Sequence, residues 1–589
     1  MENTTNHVFE VTDLKFSWTD YSLFALTLLS SAAIGVYFGF VSRKQNTAKD
    51  YLLGGKQMHP IPIALSLISC NVSGITIMAV PSDVFRFGFQ YWLSGLAMQL
   101  CILIAYYITL PVFFHLEISS TYEYLNMRFG NRMRNLASSL FALNMILYLP
   151  IVIYAPALAL SQVTGFHIHI ITLLVCGVCI FYTTIGGLKA VVWTDALQGL
   201  LMMISIVAVA IVGTVSVGGF KKVFDVTSKA TLLDMNYDVD PTVRDTVWTI
   251  LIGSIFVWAN IISVGQSSVQ KCLALPTFKE VKSAFIIFTI GIGIIVYGSV
   301  YIGLLIYTQY HDCDPLKTKT IRVPDQLLPY YVLDVVAKVP GLPGLFIAGV
   351  FSGGLSTLSA AMNALSCTVY KDFIAPHMSK DYPQEKVGVI LKWLVVVIGI
   401  ICTAMVFVVE QLGSILPLVF GITSITAGPL LGVFFLGMLV PKANSKGALS
   451  GCLSALAVSS VTIIGSYYYK MKYRMILDIK PTTMDECPIS NNSTLLNPLS
   501  QESDWEPFYL FRISFYYYTL LGLLVVFLVA IPVSKLTEDS EPKVSKKLIS
   551  PIIHFLMDEE DENENPPNYT AVKDDVELEE SKELDPFIK

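Results

Sequence analysis

Charged residues are scarce in this sequence. Asp, Glu, Lys and Arg make up 14% of the 589 residues, whereas 54% are hydrophobic and the mean hydropathy is +0.61. Soluble domains carry roughly 25% charged residues, so an ordinary soluble protein is excluded. We predict an all-α polytopic membrane protein, because isolated strands cannot satisfy their backbone groups in lipid.

Motifs for catalysis and nucleotide hydrolysis are also absent. The sequence has no Gly-rich phosphate loop, and its eight histidines lie at the ends of apolar runs or in loops, away from a Ser or Cys nucleophile. The N-terminus lacks the basic, apolar and cleavable pattern of a signal peptide. We therefore expect neither an enzyme nor an ATP-driven pump, and no organic cofactor or nucleic-acid partner.

Long apolar runs dominate what is present. About thirteen of them could cross a bilayer as helices. They lie at about 21–41, 60–80, 91–115, 136–160, 168–185, 191–215, 247–269, 284–307, 341–370, 387–409, 415–440, 447–468 and 511–533.

The basic residues between these runs predict the topology. Arg43, Lys44 and Lys49 follow the first run, so this loop is cytoplasmic and residues 1–20 are extracellular. The transmembrane domain then covers 21–534, and residues 535–589 are cytoplasmic. Later cytoplasmic loops are also basic, among them the one that contains Lys271.

Two loops on the predicted outer side carry cysteines. Cys313 and Cys487 lie in polar loops, whereas the other eight of the ten cysteines lie in or beside apolar runs. A disulfide between the two is a candidate, since thiols oxidise outside the cell. The same side carries glycosylation sequons at Asn3, Asn491 and Asn492.

The C-terminal tail differs in composition from the rest. From Asp558 onward it has 13 acidic and 3 basic residues, and we predict that 535–589 is disordered. It contains Pro566, Pro567 and Tyr569 in a Pro-Pro-x-Tyr sequence, which fits the aromatic groove of a WW domain. Either a WW-domain ubiquitin ligase binds there, or the segment is an incidental Pro-rich stretch.

The run at 341–370 is unusually polar at its centre. Residues 351–363 read Phe-Ser-Gly-Gly-Leu-Ser-Thr-Leu-Ser-Ala-Ala-Met-Asn. Small residues and hydroxyls permit close packing between helices in a membrane. They also suit a small hard cation beside irregular backbone. The residues of this run fit both interpretations.

Two other runs are interrupted. The run at 60–80 contains Pro62, Asn71 and Gly74, and the run at 247–269 reaches Asn260 and Gln266. Interrupted helices at corresponding positions of two halves are typical of transport sites at the membrane midplane. The alternative is a tightly packed interior helix.

Asp195 is an ionisable residue inside a predicted span. A carboxylate in this position indicates a functional site. The alternative is a residue near the cytoplasmic interface that is solvated or paired with a Lys. Gln198 lies three residues later, on the same helical face.

Four segments together resemble the sodium/solute symporter family. Residues 187–195 with Gln198, and residues 352–363, are similar to that family's signatures, and the likeness covers nearly all of the chain before the tail. Residues 80–88 and 154–160 resemble the branch of monocarboxylate, multivitamin and iodide cotransporters.

This resemblance implies a five-plus-five inverted-repeat core that works by alternating access driven by sodium. It implies a shared sodium site of the Ser69, Val72 and Gly353 carbonyls with the Ser356 and Thr357 hydroxyls. Further sodium contacts would come from Cys70, Ser73, Asp195, Gln198 and Gln266, and substrate contacts from Asn71, Thr76, Tyr148, Trp258 and Phe420.

Some residues depart from the branch pattern. Cys70 stands where the branch usually has Ser, and a thiol is a poorer sodium ligand than a hydroxyl, which leaves the number of sodium ions open. Asn71, where Phe is frequent, favours an organic acid over iodide. We predict a plasma-membrane symporter of small monocarboxylates such as lactate, pyruvate and short-chain fatty acids. The alternatives are a vitamin (biotin or pantothenate) or iodide carrier, and a sodium-linked sensor without coupled transport.

Overall fold

The computed structural model is predominantly helical, and no strand occurs in the part of the chain that it describes. It describes residues 16–41, 51, 53–116, 118, 120–321, 323–378, 383–409, 415–473, 479–484, 487, 508–537 and 544–556.

Seventeen α-helices of eight or more residues organise the described part of the chain. They are α1 (Trp18–Val36), α2 (Pro60–Asn71), α3 (Gly74–Phe87), α4 (Trp92–Ile104, continued by the π-helical Ala105–Thr109 and the short α-helix Leu110–Leu116), α5 (Thr121–Phe129), α6 (Asn131–Thr164), α7 (Ile168–Val217), α8 (Phe220–Lys229), α9 (Val247–Ile262), α10 (Gln266–Leu273), α11 (Phe278–Tyr310), α12 (Leu327–Val335), α13 (Leu342–Thr368), α14 (Gln384–Val409), α15 (Ile415–Leu439), α16 (Ser445–Tyr473) and α17 (Tyr518–Leu536).

Among the described residues, 9 helices are long and apolar enough to cross a membrane, or up to 11 if each of two bent pairs is one span. This confirms a polytopic helical protein, but not the predicted number of about thirteen. The difference arises in two places. Two predicted spans share the 50 residues of α7, and another falls in α15, whose first residues are described only in their backbone.

The predicted interruptions are real breaks. The axes of α2 and α3 differ by 56°, and those of α9 and α10 by 55°. At the first break Val72 is extended (φ −108°, ψ 105°), and the Ser73 Oγ accepts a hydrogen bond from the Thr76 N–H to begin α3. The last carbonyls of α2 therefore lose their usual intrahelical partners.

The long helix α7 changes direction at Gly187. This residue has φ 55° and ψ −155°, a conformation that glycine adopts without the steric cost of a Cβ atom. The break separates the two predicted spans and places Asp195 on the second, where its side chain is buried.

Helix α13 lies at the centre of the bundle. In its most apolar 18-residue window 94% of the residues are buried, compared with 33% for α14. Its glycines and serines permit contacts with α2, α3, α6 and α7. The packing interpretation of this helix is thus satisfied, and its hydroxyls face other protein groups rather than lipid.

The tail prediction needs a correction for residues 544–556. Lys546–Leu548 and Pro551–Leu556 form short 3-10 helices, and Ile549 is 1% exposed. The Tyr124 hydroxyl donates to the Leu548 carbonyl (3.1 Å). Apolar residues before the acidic stretch let this segment pack on the bundle. The acidic stretch with Pro566, Pro567 and Tyr569 lies outside the described residues, as do Asn3, Asn491 and Asn492.

Cys313 and Cys487 form a disulfide with a Cα–Cα distance of 5.0 Å. Nearby, the Thr482 Oγ1 donates to the Asp314 carboxylate (2.8 Å). The disulfide therefore fastens the loop before α17 to the loop after α11.

Candidate functional site

Both helix breaks open onto one cavity of about 250 Å³. Side chains of α2, α3, α6, α9, α10, α13 and α15 line it. Among the described lining residues, Arg244 and Asp83 are the only charged ones, and they pair with each other. The deeper part of the cavity is lined by neutral polar and apolar groups.

Four oxygen-bearing groups meet between α2 and α13, next to this cavity. The Ser356 Oγ donates to the Ser69 carbonyl (2.6 Å), and the Thr357 Oγ1 donates to the Gly353 carbonyl (2.8 Å). Ser69 and Ser356 are fully buried, whereas Thr357 lines the cavity. Val72, with its extended backbone, follows in the break. We call Ser69, Gly353, Ser356 and Thr357, together with Val72 as the fifth residue that the family resemblance implies, the oxygen cluster.

Two glycines permit this close approach. A Cβ atom on Gly353 would lie 2.7 Å from the Gly74 nitrogen, and one on Gly74 would lie 2.5 Å from the Val350 carbonyl oxygen. The start of α3 therefore contacts the backbone of α13 directly. This arrangement brings carbonyls and hydroxyls together without an intervening side chain, which suits a hard cation with oxygen ligands.

The residues predicted to contact substrate meet in the cavity, with one exception. Asn71, Thr76, Tyr148 and Trp258 all line it. The side chain of Phe420 lies outside the described residues, although its backbone belongs to α15.

Hydrogen bonds orient two of these side chains. The Asn71 Nδ2 donates to the Leu67 carbonyl (2.8 Å), and its Oδ1 accepts from the Ser268 Oγ (3.1 Å), so Asn71 joins the two broken helices. The Trp258 Nε1 donates to the Ser94 Oγ (3.1 Å), which fixes the orientation of its ring at the cavity.

The further predicted sodium contacts divide into two groups. Cys70, Ser73 and Gln266 line the cavity, while Asp195 and Gln198 are fully buried away from it. The Gln266 Oε1 accepts from the Thr121 N–H (2.7 Å). The Gln198 Nε2 donates to the Ser31 Oγ (3.2 Å). The structure therefore does not bring these residues together around one point.

Asp195 pairs with a residue that the sequence placed elsewhere. The Lys271 Nζ lies 2.8 Å from the Asp195 Oδ2, and the two side chains are 1% and 0% exposed. We expected Lys271 in a cytoplasmic loop, but α10 carries it into the protein. A basic residue directly after an apolar run normally indicates a loop, and the predicted interruption of the run at 247–269 does not show that the segment after it turns into the protein.

Asn144 on α6 also lines the cavity, although it is not among the residues predicted to contact sodium or substrate. It is 8% exposed, and its Oδ1 accepts no hydrogen bond from the described residues. An Asn in the middle of an apolar run was the signal that could have revealed it. The free acceptor is available to a donor group on a small ligand in the cavity.

Arg244 forms a cluster with acidic and aromatic residues at one end of the cavity. Its guanidinium pairs with Asp83, lies 3.3 Å from the Asp245 Oδ2 and stacks 3.5 Å from the centre of the Phe87 ring. Burial raises the pKa of the Asp245 carboxyl to about 7, although Arg244 opposes this shift. By the predicted topology this end of the cavity faces the extracellular side.

Comparisons with known proteins find relatives along most of the chain. The model of the sodium:solute symporter family matches residues 51–454. Sodium-coupled monocarboxylate transporter 2 of Mus musculus is 38% identical over 546 residues, covering 92% of this chain and 87% of the relative. Sodium-coupled monocarboxylate transporter 1 of Homo sapiens is 37% identical over 552 residues, covering 91% and 90%. A sodium-dependent multivitamin transporter of Oryctolagus cuniculus is 38% identical over 458 residues, covering 77% and 72%.

Solved structures show the same fold. A sodium-coupled sialic acid symporter in a substrate-bound outward-open state has a TM-score of 0.72 at 24% identity, covering 90% of this chain and 100% of the symporter. The fold is thus that of sodium symporters with an inverted-repeat core, as predicted. With the broken helices and the oxygen cluster, the match over residues 51–454 shows that this chain belongs to the sodium:solute symporter family.

Proposed function

We propose that this chain moves small monocarboxylates such as lactate, pyruvate and short-chain fatty acids across the plasma membrane together with sodium. The observation that carries the proposal is the oxygen cluster beside a neutral cavity. Thr357 belongs to both, since its Oγ1 lies in the cluster and its side chain lines the cavity. A sodium ion bound there would lie next to the substrate.

The cavity's charges favour an anion only when a cation is bound. Arg244, the basic residue among its described lining residues, is paired with Asp83. The substrate's negative charge must therefore be offset by sodium and by the N-terminus of α3, where Ser73 and Thr76 line the cavity. This favours ordered binding in which sodium precedes the anion.

The polar lining suits a small organic acid. Asn71 and Asn144 both line the cavity, and the free Oδ1 of Asn144 can accept a hydrogen bond from the 2-hydroxyl group of lactate. The relatives that transport monocarboxylates match over a larger share of this chain than the multivitamin transporter does. Biotin and pantothenate are therefore second candidates.

Several further assignments belong to this proposal. The sodium ion would bind the carbonyls of Ser69, Val72 and Gly353 and the hydroxyls of Ser356 and Thr357. The N-terminus would be extracellular with glycans on Asn3, Asn491 and Asn492, and the C-terminus cytoplasmic. A WW-domain ubiquitin ligase would bind Pro566, Pro567 and Tyr569.

Competition for uptake tests the substrate assignment. In cells that express the chain, sodium-dependent uptake of radiolabelled lactate should be inhibited by pyruvate and propionate and unaffected by biotin, pantothenate or iodide at equal concentration. Inhibition by biotin without inhibition by propionate would instead assign the chain to vitamin transport.

A further inference from the structure

The buried pair of Asp195 and Lys271 is not used by the proposed transport site. Both oxygens of the Asp195 carboxylate have partners. The Oδ2 accepts from the Lys271 Nζ (2.8 Å) and the Ser66 Oγ (2.9 Å), and the Oδ1 accepts from the Ser359 Oγ (3.1 Å). The Lys271 Nζ also donates to the Ser66 carbonyl (3.1 Å) and has the Cys70 thiol as a further neighbour.

The serine neighbours of this pair lie one helical turn from the oxygen cluster, Ser66 on α2 and Ser359 on α13. Ser66 precedes Ser69 by one turn on α2, and the Ser69 Oγ donates to the Ser66 carbonyl (3.2 Å). Ser359 follows Ser356 by one turn on α13, and its Oγ lies 3.0 Å from the Ser356 carbonyl oxygen. The contacts of the Asp195–Lys271 pair and the oxygen cluster therefore occupy successive turns of the same two helices, α2 and α13.

The surroundings of the Lys271 ammonium have the chemistry of a cation site. The ammonium contacts the Asp195 carboxylate and the Ser66 backbone carbonyl, and the carboxylate in turn contacts the Ser66 and Ser359 hydroxyls. Carboxylate, carbonyl and hydroxyl oxygens are the ligands that a hard cation takes. With both charges almost completely buried, the carboxylate requires a cation beside it, because an uncompensated buried charge is strongly destabilising. Lys271 supplies that cation as part of the chain.

We propose that Lys271 is a tethered counter-cation that fills a second cation position at Asp195. Sodium then binds the wild-type chain at the oxygen cluster alone, and Asp195 becomes a sodium ligand only when the ammonium group is removed. Lys271 is thus a positioning residue that sets the number of sodium ions. The inference rests on the proposed function only for the sodium site at the oxygen cluster.

Sodium binding to the purified full-length chain tests this directly. Radioactive sodium would be titrated against the wild type, Lys271→Met, Lys271→Arg and the double variant Asp195→Asn/Lys271→Met. We expect one bound sodium per chain for the wild type, for Lys271→Arg, which keeps the cation, and for the double variant, which removes both charges. We expect two for Lys271→Met, in which the Asp195 carboxylate lacks a positively charged partner.

The opposite stoichiometries would overturn the inference. A wild type that binds two sodium ions, with one lost in the double variant, would make Asp195 a sodium ligand in the native chain. A Lys271→Met variant that binds the same number of sodium ions as the wild type would also contradict the inference, because removing the ammonium group would then open no sodium site. If Lys271→Met does not fold, the wild type and the double variant still decide: equal stoichiometry supports the inference and a lost ion overturns it.

Failure of the proposed function gives a different result. A wild type that binds one sodium ion, gains a second in Lys271→Met and yet moves no monocarboxylate contradicts the substrate assignment and supports the counter-cation. A wild type and Lys271→Met that both bind no sodium contradict both.

Discussion

Replacing Gly353 by Ala should weaken sodium binding selectively. The added Cβ atom would lie 2.7 Å from the Gly74 nitrogen and 3.1 Å from the Ser73 carbonyl carbon, whereas ordinary contacts begin at 3.4 Å. The start of α3 must therefore move away from α13. Because the Ser69 and Val72 carbonyls belong to the same broken helix, they move away from the Ser356 and Thr357 hydroxyls as well.

The size of the effect follows from the cost of overpacking. Inserting a methyl group into a packed interior costs about 1–3 kcal/mol. If the sodium-bound arrangement bears most of that cost, sodium affinity falls by about 5- to 150-fold. The assay is lactate uptake as a function of sodium concentration, and we expect the half-saturating concentration to rise at least about 5-fold by the same conversion.

The neighbouring glycine provides a matched control. A Cβ atom on Gly354 would meet the Pro156 Cγ at 3.3 Å and the Val152 carbonyl oxygen at 3.4 Å, which is close to normal packing. Gly354→Ala should therefore keep the wild-type sodium dependence. An unchanged half-saturating sodium concentration in Gly353→Ala, or an equal rise in both variants, would refute the reasoning.

Three further predictions concern the cavity entrance, its thiol and the disulfide. Burial raises the pKa of Asp245 to about 7, so its carboxyl is neutral below that pH and charged above it, beside an Arg244 already paired with Asp83. Anion uptake should thus decrease as the pH rises through about 7, and Asp245→Asn should remove this decrease. Cys70 lines the cavity and is the partly exposed free cysteine among the described residues, so a methanethiosulfonate reagent should block uptake unless lactate is present, and Cys70→Ala should resist it. Opening the disulfide with Cys313→Ser should cost about 2–5 kcal/mol of folding free energy, measured as a lower Tm, and added reductant should lower the wild-type Tm but not that of the variant.

Local sequence patterns predicted the interruptions of the helices, which depend on local backbone chemistry. Asn71 and Gly74 within an apolar run indicated the break at Val72, because polar and flexible residues are costly in a lipid-facing helix. The Ser and Thr residues of α13 indicated, for the same reason, either close packing between helices or oxygen ligands for a cation, and the buried position of α13 agrees with the packing. Their pairing across α2 and α13 came from the family resemblance, since 287 residues separate Ser69 from Ser356.

The parts that local patterns could not predict are long-range contacts between charges. Lys271 and Asp195 are 76 residues apart, and Arg244 and Asp83 are 161 apart. Each member alone fits an exposed position near the end of a span. Only the 55° bend between α9 and α10 carries Lys271 into the interior. The packing of residues 544–556 likewise depends on Tyr124, 424 residues before its partner Leu548.

The central claim is that sodium bound at the oxygen cluster drives monocarboxylate uptake. The most direct measurement uses the purified chain in proteoliposomes with an inward sodium gradient and equal lactate on both sides. We predict that the wild type and Thr357→Ser, which keeps the hydroxyl, accumulate radiolabelled lactate, and that Thr357→Ala does not. Accumulation that persists when choline replaces sodium, or that is equal in Thr357→Ala and the wild type, would contradict the account.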